Sequence, residues 1–299
     1  MDATLADAVA RLRLVPREAR TYEQSEREAA AFGLGAGTLQ VLNDEGLTAQ
    51  DAGGRLYSAS DLHFLGLRLG SPFYLRSWQA MARSFSTLQA AEQTELSVQY
   101  VGWPGEGKAP AIARSPDGSR VEVEAVSGKP AHEVRTVVRR RSSVPLPPEL
   151  RDVGDEIAGY DLYPLPPSLK DDLDFVRRTG ICDCFASARL LVETATARGL
   201  AARPSWGLLL TLPFSSPHAW AELLVGGAWE AYDPLLLSTL TRFGGLDEAQ
   251  WPATRNITTM VERFDASQCS FLEERAGPAE YETTTFITTI VDGVQSGQR

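Results

Sequence analysis

The sequence predicts an α+β fold, in which a helical N-terminal part precedes parts built from antiparallel strands. Three observations predict it. Residues 1–92 are rich in Ala and Glu, and their apolar residues recur at helical spacing. From 93 to 140 the chain turns to short alternating runs, the pattern of strands with one buried face. Beyond Asp171 a helix-periodic segment is followed by two alternating runs joined by Gly226-Gly227. Hydrophobic residues make up 43% of the 299 and charged residues 23%, so the chain can bury a core and reads as globular.

The elements follow in order. Gly33 to Gly37 and Gly53-Gly54 cut the N-terminal part into short helical pieces. Ser97–Trp103, Ala109–Arg114 and Arg120–Val126 read as strands, with Ser115-Pro-Asp-Gly118 as the hairpin turn between the last two. Val144-Pro-Leu-Pro-Pro148 reads as a joint, and Tyr163-Pro-Leu-Pro-Pro167 as a second. The expected division is a helical module over 1–92, a β-rich connecting region over 93–148, and a domain carrying the chemistry over 149–299. An irregular acidic tail ends in a Thr-rich strand candidate, Tyr281–Val291, and residues 295–299 read as frayed.

Composition narrows the function. A net charge of −10 and a pI near 4.9 argue against a general nucleic-acid binder, because phosphate contacts need a basic surface. No apolar stretch reaches the ~18 residues of a membrane span. The first residues lack the basic and apolar regions of a signal peptide, so a cytoplasmic location is expected. The three cysteines, Cys182, Cys184 and Cys269, are an odd set, which argues against a disulfide framework. Asn256-Ile-Thr258 matches a glycosylation sequon, which has no meaning in a chain that is not exported. Cys182, Cys184, Cys269 and His218 have poor spacing for zinc, and neither metal nor cofactor is expected.

The chemistry concentrates around Cys182. After Gly180, apolar residues at 181, 185, 188, 192 and 195 mark one face of a helix, and Gly199 suits its C-terminal end. Cys182 is then expected in the first helical turn, where the dipole and free N–H groups favour a thiolate. Asp183 opposes that charge, so a base is needed as well. His218–Val225 alternates as a strand, Gly226-Gly227 is a two-residue turn, and Ala228–Asp233 is the return strand, ended by Pro234. Such a loop pairs Val225 with Ala228, and so Trp220 with Asp233. His218 shares the face of Trp220, which makes His218 and Asp233 diagonal neighbours. Glu222 on the same face is the reserve partner for the imidazole. Taken alone, a cysteine near a helix start is more often a buried structural residue. A cysteine, then a strand histidine, then a hairpin-partner aspartate is the order and placement that a thiol triad requires. Cys184, two residues on, is expected to point away from Cys182.

Gly180-x-Cys182-x-x-Phe-Ala, Ala-Arg-Gly-Leu-Ala-Ala-Arg203, Gly207, His218-Ala-Trp-Ala-Glu222 and Trp229-x-x-Tyr-Asp-Pro234 resemble the transglutaminase-like superfamily core, over about residues 171–236. The resemblance implies a papain-like α+β fold for 149–299, with a helix packed on an antiparallel sheet. It implies acyl transfer through a thioester. Carried onto this chain, Cys182 attacks a carboxamide, ester or thioester carbonyl, His218 moves the proton and Asp233 holds the imidazole. The Cys182 N–H is the expected oxyanion donor. Trp206, Trp220 and Tyr232 are the candidate substrate-binding side chains. The acyl donor would be a peptide, an amide or a carrier-bound acyl group, and the acceptor an amine, in a natural-product or peptide biosynthetic pathway. Passing the acyl group to water instead gives a cysteine peptidase or amidase; Pro213-Phe-x-x-x-His-Ala-Trp220 is similar to the leader peptidases that process lasso peptides. A non-catalytic binding or regulatory protein is the reading from another class.

Leu34-Gly-Ala-Gly-Thr-Leu39, Asp44-Glu-Gly-Leu47 and Gly54-Arg-Leu-Tyr-Ser-x-x-Asp-Leu62 resemble, more weakly, the winged helix of MerR-type regulators. That implies a recognition helix near Gly37 to Glu45 and a wing near Gly53 to Tyr57. Gln40, Val41 and Leu42 depart from the basic and aromatic residues usual there, so docking of a substrate, carrier or partner is the competing role. Arg139–Arg141 reads as a solvated strand end. His63 and His132 are assigned no role.

Overall fold

The computed structural model describes residues 3–51, 54–102, 108–264, 271–274 and 284–291. In chain order the helices are α1 (Ala3–Leu12), α2 (Glu26–Ala29), α3 (Ala36–Asp44), α4 (Ala59–Arg68), α5 (Pro72–Ala90), α6 (Arg151–Ala158), α7 (Leu173–Thr179), α8 (Cys184–Ala197) and α9 (Pro234–Thr239). The strands are β1 (Gln24–Ser25), β2 (Gln50–Asp51), β3 (Arg55–Tyr57), β4 (Gln93–Gly102), β5 (Lys108–Arg114), β6 (Arg120–Val126), β7 (Pro130–Arg139), β8 (Asp161–Leu162), β9 (Ile181–Cys182), β10 (Ala202–Leu209), β11 (Phe214–Val225), β12 (Ala228–Tyr232), β13 (Val261–Arg263), β14 (Leu272–Glu274) and β15 (Thr284–Ile290). The fold is therefore mixed α+β. It divides into two compact units, each made of three segments. One holds Met1–Ala82, Glu149–Leu191 and Pro234–Thr254; the other holds Arg83–Pro148, Val192–Asp233 and Arg255–Arg299.

The first unit is mainly helical. Its helix ends are set by short polar side chains. Ser25 opens α2 with a capping box: its hydroxyl accepts the Glu28 N–H, and the Glu28 carboxylate accepts the Ser25 N–H at 2.8 Å. Asp172 opens α7 by accepting the Phe175 N–H at 2.8 Å, and Gly180 closes it at φ 63°, a conformation that suits glycine. Strands β1, β3 and β2 form a small antiparallel sheet next to α2, and Asn43 of α3 donates to the Tyr57 hydroxyl of β3 at 2.9 Å; Gly53, part of the expected wing, lies outside the described residues. The core gathers Val9 and Leu12 of α1, Leu39 and Leu42 of α3, and Leu62 and Leu65 of α4. A buried ion pair, Arg20 with Asp61 at 3.2 Å, sits within it, and the Tyr163 hydroxyl donates to Asp61 at 2.8 Å. Strands β8 and β9 make a two-residue parallel ladder, with Asp161 opposite Ile181 and Leu162 opposite Cys182.

The second unit is a nearly closed antiparallel sheet. Its strand order is β13-β10-β11-β15-β4-β7, and β12 also pairs with β11. The two edge strands approach each other where the Thr136 hydroxyl of β7 bonds the Glu262 carboxylate of β13. Directly opposed residues share a face. Tyr100, Phe286 and Ser215 therefore share one face with Leu96 and Val98, all buried, and Phe271 packs its ring against Phe286 at 5.0 Å. His218, Trp220 and Glu222 point from the opposite face. Gly207, across from His218, has no room for a side chain, because a Cβ there would lie 2.0 Å from the Glu262 carbonyl. A second sheet, β14-β5-β6, contains the expected Ser115–Gly118 turn, with Gly118 at φ 81°.

Two elements differ from expectation. β7, not anticipated from the sequence, pairs along β4. The Thr-rich segment is a central strand: β15 lies between β11 and β4, although its sequence reads as a tail. Residues 281–283 and 295–299 lie outside the described residues. No described helix is long and apolar enough to cross a membrane.

Candidate active site

The hairpin of β11 and β12 positions the histidine. Gly226 and Gly227 adopt φ 60° and 86°, the two positive values that a type I′ turn demands. Val225 lies opposite Ala228, and the register continues to Ala221 opposite Tyr232. One step further sets Trp220 against Asp233, with His218 on the diagonal. The His218 Nε2 to Asp233 Oδ2 distance is 2.7 Å, and both groups are buried. A buried carboxylate is costly unless a polar partner offsets its lost hydration, and the imidazole is one here. The bond through Nε2 fixes the orientation of the imidazole ring. Pro234 stops β12 and suits the first position of α9.

The sheet also splits at this point. On one edge of β11, β10 pairs from Ser216 to Leu223. On the other edge, β15 pairs only at Phe214 and Ser215, and β12 only from Ala221 to Val225. Among the described residues no strand is paired to that second edge between 216 and 220, the stretch centred on His218.

Cys182 belongs to the helical unit and ends β9. It is fully buried, its carbonyl accepts the Tyr163 N–H at 2.8 Å, and its thiol donates to the Asp183 carbonyl at 3.2 Å. The sequence places it in the first turn of a helix; it lies instead two residues ahead of α8. The reason is Asp183. Its carboxylate accepts the Ala186 N–H at 2.9 Å and its carbonyl the Ser187 N–H at 2.9 Å, so Asp183 is the cap and the helix begins at Cys184. Burial pushes the Asp183 carboxyl above its ordinary range, while the Ala186 N–H and then Lys170 act against that. Its carboxylate is thus fixed on the end of α8. Cys184 is partly exposed.

Other sequence candidates are distributed differently. Trp206 lies opposite Ala219, and Tyr232 opposite Ala221, so both project from the face away from His218. Trp206 packs against Phe271 with ring centres 5.7 Å apart, and the Tyr232 hydroxyl donates to the Pro145 carbonyl at 3.2 Å. Trp220 shares the face of His218, stacked at 6.5 Å, but is fully buried. Glu222 is held by Arg203 at 2.6 Å, which leaves Asp233 as the carboxylate on the imidazole. Cys269 lies outside the described residues. Among those described, no cluster of three or more His, Cys, Asp or Glu side chains is arranged to hold a metal. Helix α3 carries no Lys or Arg and exposes Gln40, Val41 and Asp44, a poor surface for phosphates. His132 bonds Ser115 at 3.1 Å in the second unit.

Sequence reasoning missed two polar networks. Asn256 is buried: its amide nitrogen donates to Glu230 at 2.7 Å and its oxygen accepts the Val144 N–H at 3.0 Å, so the sequon match marks a structural side chain. Thr258 donates to the same carboxylate at 2.5 Å. The second network surrounds Asp161, taken up below. Compared with known proteins, the chain matches no family model, no curated protein and no solved structure.

Proposed function

We propose that the chain is a thiol acyltransferase in which Cys182 is the nucleophile, His218 the base and Asp233 the residue that orients the imidazole. The observation that carries this reading is the 2.7 Å bond between a buried aspartate and a strand histidine, formed across the β11–β12 hairpin while Arg203 holds Glu222. The likeness of Gly180-x-Cys182, His218-Ala-Trp and Tyr-Asp-Pro234 to the transglutaminase-like core supports the same assignment. In the first step the Cys182 thiol gives its proton to His218 and its sulfur bonds to the acyl carbon; the acyl C–N, C–O or C–S bond breaks, and the leaving amine, alcohol or thiol takes that proton from His218. In the second, an amine gives its proton to His218 and takes the acyl group, which forms an amide and frees the thiol. Water in place of the amine makes the protein an amidase or peptidase, with the same residues in the same roles.

Intact-mass trapping tests this. The protein and Cys182→Ala are offered glutamine peptides, simple esters and acyl thioesters. An acyl adduct on Cys182, absent from the variant, is expected. A chase with a primary amine or with buffer alone then shows which acceptor releases it. An adduct that persists in Cys182→Ala overturns the assignment of the nucleophile.

A further inference from the structure

The segment that carries Cys182 is a weak element held by strong neighbours. A two-residue parallel ladder has little stability of its own, since parallel pairs are the less stable kind and isolated two-stranded pieces are marginal. Its backbone bonds run from the Asp161 N–H to the Gly180 carbonyl and from the Tyr163 N–H to the Cys182 carbonyl, both at 2.8 Å. Local bonds help, such as the Ile181 N–H to the Thr179 hydroxyl at 3.2 Å, but charged side chains far away in sequence also grip this ladder.

At one end three arginines converge. Arg11 of α1 bonds Asp161 through Nε at 2.8 Å and the Thr179 carbonyl through Nη2 at 2.8 Å, so one guanidinium ties β8 to the residues leading into β9. Arg68 of α4 bonds the other oxygen of Asp161, and also Asp7 at 2.7 Å. Arg242, just after α9, donates to the Tyr160 carbonyl at 2.7 Å. At the other end the Tyr163 hydroxyl is fixed on Asp61, which Arg20 neutralises; Arg20 in turn donates to the Leu12 and Val15 carbonyls at 2.5 and 3.0 Å. Asp183, the residue after the cysteine, is fixed as the cap of α8. The main chain of Cys182 is therefore constrained on each side.

We propose that the N-terminal helices form an intramolecular brace for the nucleophile, and that Asp161, gripped by Arg11 and Arg68, is a positioning residue for Cys182. The proposal rests on the reading of Cys182 as the nucleophile and adds a role for the N-terminal segment. Its physical basis is that a thiol activated by a neighbouring base loses activation steeply when misplaced by a fraction of an ångström. A guanidinium bound to both a side chain and a carbonyl fixes direction as well as distance.

The experiment is the pH profile of iodoacetamide alkylation, read by mass at Cys182 and, in the same molecule, at Cys184. In the wild-type protein the Cys182 midpoint is expected well below the ordinary thiol value of about 8.5. In Arg11→Ala/Arg68→Ala it is expected to rise by about one pH unit, with the Cys184 midpoint unchanged, and Arg11→Lys/Arg68→Lys, which keeps the charge but not the two-pronged grip, is expected to restore only part of the difference. Should the double alanine variant not fold, Asp161→Asn reads the same effect with the backbone ladder kept. A Cys182 midpoint that stays low in these variants overturns the brace while leaving the thiol reading intact. Equal movement at Cys182 and Cys184 also overturns it, because that is general loosening. A wild-type midpoint at the ordinary value overturns the thiol reading and the brace together.

Discussion

At the scale of single residues, the bond from His218 to Asp233 does two things. It fixes the orientation of the ring, and it places a buried carboxylate on Nε2. Asp233→Asn keeps the size and a hydrogen bond but loses the charge and favours the other tautomer. Formation of the acyl adduct on Cys182 is expected to slow about a thousandfold, with the melting temperature little changed. Stopped-time mass measurements against the wild type check this. His63 offers a prediction of the opposite kind, on stability alone. Its ring packs edge-on to Tyr74 at 4.7 Å, and burial pushes its pKa down to about 4. A histidine kept neutral in the folded state binds fewer protons than the unfolded chain. Its contribution is thus complete above the ordinary value near 6.5 and is lost as the pH falls from there toward about 4, by about 3 kcal/mol in full. Urea midpoints at neutral pH and near pH 4.5, for the wild type and His63→Leu, should show a smaller acid loss in the variant. The His218–Asp233 geometry was legible in the sequence because a Gly-Gly loop leaves one register, and a register fixes faces and diagonals. The surroundings of His63 were not legible, because the Tyr74 ring that covers it is brought there by tertiary packing.

At the scale of elements, α8 shows how a local rule can be applied one step too early. The apolar positions 181, 185, 188, 192 and 195 fit a helix, yet helical dihedrals begin only after a residue able to cap. Asp183 is that residue, and Ile181 and Cys182 fall to the strand before it. Asp183→Ala is expected to cost about 1 kcal/mol of stability through loss of the cap, while Asp183→Asn, also a good cap, costs a few tenths. Denaturant titration of the two variants distinguishes them, and equal losses would mean that charge and not capping is what Asp183 supplies. The strands tell the same story from the other side. β4, β5 and β6 were legible from alternation and from the Ser115–Gly118 turn. β7 was missed because His132 and Thr136 put polar groups on the same face as Val134 and Val138, while Glu133, Arg135 and Arg139 dominate the other. β15 was legible as a strand but not as a central one, since nothing in Thr284–Ile290 records that β11 and β4 flank it.

At the scale of the whole chain, no segment of the helical unit is complete by itself. Residues 1–82 share that unit with 149–191 and 234–254, and the bond between Arg11 and Asp161 spans 150 positions in sequence. Such a contact has no periodicity and no local composition, so a sequence reading can find the helices and still not find what they serve. The physical consequence is testable by truncation. A chain that starts at residue 93 lacks Arg11 and Arg68, leaving Asp161 partly buried without either guanidinium. It also lacks Arg20 and Asp61, so the Tyr163 hydroxyl has no acceptor there, and a buried polar group left unpaired costs about 1–3 kcal/mol. Against a total stability of about 5–15 kcal/mol these lost partners are a large fraction. The truncated chain is expected to keep helical and strand signals in the far ultraviolet, to lose its near-ultraviolet aromatic signal and to bind a hydrophobic dye. If it instead melts cooperatively and Cys182 keeps its alkylation profile, the N-terminal helices are a separable module and the cysteine ladder stands without them.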